Sequence, residues 1–141
     1  MKKMDLLTTM SLLSVILLSF HLTDDILHSG PNQTWVAQGG AVNLVAVPVL
    51  ALWLFGALVL RERRSGYVIL LLGSLFALAM PILHMTGPRF VGGEIAKPSG
   101  AFFFVWTLIA LGVTGMVSAV LSIRALWSLR ANKGESAGPV R

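Results

Sequence analysis

Leu6-Leu7-Thr8-Thr9-Met10-Ser11-Leu12-Leu13-Ser14-Val15-Ile16-Leu17-Leu18-Ser19-Phe20 is an uncharged, mostly apolar run, and His21-Leu22-Thr23-Asp24-Asp25-Ile26-Leu27-His28 follows it directly. The first part is long enough, with its continuation, to cross a bilayer as a helix, which takes roughly 20 apolar residues. The second part places two His and two Asp at the boundary of that span. Ionisable groups there are costly to desolvate, so a site is the natural hypothesis.

Three more apolar runs follow. The sequence predicts a single four-helix transmembrane domain over residues 1–130, with helices at about 6–28, 40–60, 66–85 and 101–127. Residues 131–141 are polar, contain Gly and Pro, and read as a disordered cytoplasmic tail. Continuous apolar runs exclude the alternating pattern of a membrane β-barrel. The expected fold is therefore all-α: an antiparallel bundle of four transmembrane helices.

Composition agrees. Of 141 residues, 55% are hydrophobic and 12% charged, with a mean hydropathy of +0.80. Soluble domains carry roughly 25% charged residues. The absence of cysteine excludes disulfides, thiol catalysis and thiolate metal sites. Net charge is +5, but the basic residues sit in short clusters between apolar runs, a topology pattern and not a nucleic-acid surface.

Orientation follows from those clusters. Lys2 and Lys3 precede the first span. Arg61, Arg63 and Arg64 separate the second from the third, and Arg124, Arg130, Lys133 and Arg141 follow the fourth. Only Arg89 and Lys97 fall on the other side. Both termini are thus expected to be cytoplasmic, in a membrane that the simple N-terminus suggests is the bacterial cytoplasmic one. Met1-Lys2-Lys3 before an apolar run also has the outline of a signal peptide, but the small residues required before a cleavage point are poorly placed.

At about 100° per residue, His21, Asp24, Asp25 and His28 fall at roughly 0°, −60°, +40° and −20°, one face of the helix. The third span carries His84 to a similar depth. The second brings Asn43 near that level, and the fourth brings Trp106 and Thr107 a turn or so deeper. Imidazole and carboxylate are good ligands for zinc, iron or manganese. His21 and His28 lie about 10.5 Å apart along the axis, so adjacent-turn pairs completed by His84 form the expected donor set. The candidate metal residues are His21, Asp24, Asp25, His28 and His84, with Asn43, Trp106 and Thr107 as ligand-binding walls.

A second reading of the same face is proton relay or the holding of a quinone head group, since His titrates near neutral pH. A third is an ordinary solvated helix end. No haem, flavin or nucleotide motif occurs, and no Ser/His/Asp triad or phosphate loop points to an enzyme. The expected surroundings are the lipid bilayer and either a homo-oligomer or a larger membrane complex, in which the chain would be a non-catalytic accessory subunit. Pro48 and Pro81 lie within spans two and three and can kink them. Ala110, Thr114, Ser118 and Ser122 form a small-residue stripe suited to close helix approach. Phe102, Phe103 and Phe104 are expected to face lipid.

Four short spans in a chain of this length resemble the DoxX-like proteins in hydropathy, a likeness of profile and not of motif. Small multidrug pumps share the helix count, but the membrane-embedded Glu of their first helix is absent here. The lack of Cys separates the chain from four-helix disulfide-forming oxidoreductases.

Overall fold

The computed structural model describes residues 3–27, 40–86 and 101–135. It is all-helical, with four helices: α1 (Lys3–Leu27), α2 (Gly40–Leu58), α3 (Arg64–Thr86) and α4 (Ala101–Glu135). Leu-rich runs favour helix because unbranched side chains lose little rotamer freedom there. A helix also satisfies its backbone polar groups internally, as an apolar solvent demands.

α1, α3 and α4 contain stretches long and apolar enough to cross a membrane: Asp5–Asp24, Arg64–Thr86 and Phe102–Ala131. α2 is shorter, with its apolar stretch at Leu44–Leu58. The four helices lie where the apolar runs predict, but α4 continues as helix to Glu135, five residues into the expected tail. Ala131, Lys133 and Glu135 there are good helix formers, although Asn132 and Gly134 are not, and no Pro intervenes before Pro139.

Neighbouring helices are antiparallel. Ser11 and Ser14 of α1 meet Ser118 and Thr114 of α4. Gly115 of α4 lies against Ala77 of α3, and Gly112 against Pro81. α2 and α3 form a hairpin through the turn at residues 59–63, closed by Leu60 N donating to Phe55 O at 3.2 Å and Arg63 N to Leu60 O at 2.9 Å. Any side chain at Gly66 would collide with the Leu60 carbonyl, so the hairpin requires glycine there. α4 packs extensively on α3 and α1, whereas direct contact between α1 and α3 is slight.

The core is built from Leu7, Val15, Leu18, Trp53, Leu70, Leu108 and Leu111. Outside it, large apolar side chains are exposed on every helix, including Leu44, Val47 and Leu52 on α2, Leu72 and Ile82 on α3, and Phe102 and Val113 on α4. Soluble monomers rarely expose contiguous apolar surface beyond a few hundred Å². Three helices long and apolar enough to cross a membrane, together with this apolar exterior, are consistent with a helical membrane protein.

Candidate functional site

The buried residues of α1 are Leu7, Ser11, Ser14, Val15, Leu18 and His21. Apart from Val15, they step by alternating fours and threes, the seam spacing of a packed helix pair. Small hydroxyl residues on this seam let α4 approach closely. Ser11 Oγ and Ser118 Oγ lie 2.8 Å apart, and Ser14 Oγ donates to Thr114 Oγ1 at 2.8 Å. Following the same register, His21 comes to lie at the far end of the seam, only 1% exposed.

The third helix supplies its neighbour. The rings of His21 and His84 stand edge to face, with centroids 4.6 Å apart and planes at 85°. Phe104 of α4 packs on both, 5.2 Å from His21 and 5.6 Å from His84. Just outside, Phe20 and Phe103 meet edge to face at 6.4 Å. Three helices therefore converge on one aromatic cluster at this end of the bundle.

His84 Nδ1 lies 2.9 Å from the Met80 carbonyl oxygen. A carbonyl only accepts, so Nδ1 carries the proton and donates it. In the neutral ring the lone pair is then on Nε2. Histidines that ligate metals are oriented in this way, one nitrogen donating to a backbone carbonyl while the other faces the ion. Two imidazoles on one tetrahedral zinc, each bonded at about 2.0–2.1 Å, would place their ring centroids roughly 5.2 Å apart, somewhat wider than the 4.6 Å found here. Among the described residues, no three His, Cys, Asp or Glu gather as a metal-holding group.

The remaining predicted residues divide. Asp24 is half-buried, one turn beyond His21. Asp25 lies in α1, but its side chain is outside the described residues, as is all of His28. Asn43 sits in the first turn of α2, its side chain likewise outside them. Thr107 is buried, and its hydroxyl donates to the Phe103 carbonyl at 2.7 Å. Trp106 is 60% exposed and turns outward, away from the histidines. One residue along a helix is about 100° of rotation, so Trp106 and Thr107 cannot both face the same pocket.

Two contacts were missed in the sequence. Phe102 and Phe103 are exposed as expected, but Phe104 packs against the core and touches both imidazoles. Its spacing of three and four residues from Thr107 and Leu108 was the available signal. At the opposite end, Asp5 in the first turn of α1 pairs with Arg61 of the α2–α3 turn. The chain matches no protein-family model, no curated protein and no solved structure.

Proposed function

We propose that this chain is a small four-span integral membrane protein that binds a divalent metal ion at an outward-facing His/Asp site. Both termini lie on the cytoplasmic side, in what the basic-residue distribution suggests is a bacterial cytoplasmic membrane. His21 and His84 are the imidazole ligands, with carboxylate from Asp24 or Asp25 and the imidazole of His28 completing the set. Zinc, iron and manganese suit these donors. The observation that carries the reading is the His21–His84 pair, 4.6 Å between centroids, with His21 buried and His84 partly so, assembled from helices whose own contact is slight.

A second reading is a proton-linked ligand site, such as one for a quinone head group. Phe104, close to both rings, favours it, because an imidazolium is attracted to an aromatic face. Elemental analysis of the purified protein separates the two. Near-stoichiometric zinc, iron or manganese in the wild type, lost in His84→Ala and Asp25→Ala with helicity retained, is the expected result. No metal after reconstitution would sink the ligand assignment and leave the proton-linked reading or an accessory-subunit role.

A further inference from the structure

The arginine end of the bundle carries charge that the histidine site does not use. Arg63, Arg64, Arg124 and Arg130 are all exposed there. Arg61 is engaged by Asp5 of α1, and Glu62 is the turn's own carboxylate.

Helical counting places two of these arginines on one groove. Arg130 is eighteen residues, about five turns, beyond Gly112, and a Cβ at Gly112 would stand 3.0 Å from Pro81 of α3. Arg64 is fourteen residues, close to four turns, before Leu78, whose backbone nitrogen lies 3.4 Å from a Cβ built at Gly115. Arg130 and Arg64 therefore lie on the same side of the α3–α4 contact, one from each helix. Their levels agree as well. Gly115 lies opposite Ala77, so thirteen residues onward α4 reaches Ser128 and thirteen residues back α3 reaches Arg64. The two arginines differ by about 3 Å along the axis.

The groove above them is apolar and open. Leu75 and Ile82 lie one turn either side of Leu78, and Met116 and Ile123 lie one and three turns beyond Gly112; all four are exposed. α4, 35 residues long, extends about 52 Å, more than the roughly 40–45 Å of a bilayer with its headgroups. Its last turns thus run through the headgroup layer, where the exposed Trp127 stands beside Arg130.

We propose that the arginine end of the α3–α4 groove binds one anionic phospholipid. Arg64 and Arg130 hold the phosphate, the planar guanidinium fork matching its oxygens. An acyl chain lies along Leu75, Ile82, Met116 and Ile123. Arg63 adds the charge that favours an anionic headgroup over a zwitterionic one. The proposal rests on the reading that the chain spans a bilayer.

The test uses the full chain, delipidated in detergent, titrated with phosphatidylglycerol or phosphatidylcholine and followed by native mass spectrometry. Phosphatidylglycerol is expected to be retained in preference. Arg64→Gln and Arg130→Gln should each weaken retention about five-fold, the scale of one basic residue at an anionic surface. Arg124→Gln, a third of a turn around α4 from Arg130 and turned away from α3, should leave retention unchanged. Equal retention of the two lipids, an Arg124→Gln loss matching the groove variants, or equal protection by inorganic phosphate alone would each overturn the proposal. Alkaline carbonate extraction of native membranes separates the failures. A chain that carbonate releases fails the spanning reading itself, whereas a resistant chain without lipid preference fails only the groove.

Discussion

Gly115→Ala should force α3 and α4 apart, and the size of the effect can be worked from the crossing. The added Cβ would stand 2.9 Å from Ala77 Cβ, 3.2 Å from Ser74 O and 3.4 Å from Leu78 N. Non-bonded carbons rest at about 3.5–4.0 Å, so the helices must part by roughly 0.6–1 Å. Two of the three neighbours are backbone atoms and cannot swing aside. Overpacking of this kind costs about 1–3 kcal/mol, while replacing Gly inside a helix returns at most about 1 kcal/mol. A net loss of about 0–2 kcal/mol is expected. Ala77→Gly removes the nearest atom but places a new glycine in α3, which costs about 1 kcal/mol by itself. Because the two substitutions act on one contact, the double variant should be more stable than the sum of the singles by about 1 kcal/mol. Unfolding in mixed micelles titrated with sodium dodecyl sulfate, followed by circular dichroism, gives all four values. Additivity within about 0.3–0.5 kcal/mol would refute the close approach and the α3–α4 register with it.

Three further outcomes are expected. Ser14→Ala and Thr114→Ala should couple by about 0.6 kcal/mol, the average for hydrogen bonds between membrane helices; a double-mutant cycle in the same micelles measures it, and a coupling near zero removes the bond. Ser122 Oγ is buried with no hydrogen-bond partner among the described residues, so Ser122→Ala should be neutral or stabilising by up to about 1 kcal/mol in the same unfolding titration; a clear loss would reveal a partner. Asp5→Asn breaks the pair with Arg61, whose side chains are 46% and 43% exposed, and should cost no more than about 1 kcal/mol, shrinking as salt is raised; a loss that salt leaves unchanged contradicts a solvent-screened pair.

Element positions were legible because apolar run length translates directly into helix length in a lipid-like solvent. The level of His84 relative to His21 was legible for the same reason: each lies a similar number of residues from the arginine end of its helix. Helix rotation was not. The sequence offered Trp106 and Thr107 equally, and only packing turns Thr107 inward and Trp106 out. Phe104 was grouped with its two exposed neighbours, although the spacing of Thr107, Leu108 and Leu111 already marks its face. The Asp5–Arg61 pair joins residues 56 positions apart. Nothing local in either segment reports such a partner.

α4 is what gives the histidine pair its geometry. Lipid offers helices no hydrophobic drive to associate, so packing and interhelical hydrogen bonds must hold them. α1 and α3 carry the two imidazoles yet touch each other little. Each is instead fastened to α4: α1 through Ser11–Ser118 and Ser14–Thr114, α3 through the Ala77–Gly115 approach. One helix thus offers hydroxyls to one neighbour and a bare backbone to the other. Phe104, on that same helix, then fills the space above the two rings. The separation of His21 and His84 is accordingly a property of two seams on α4, and a change in either seam reaches the site without touching an imidazole.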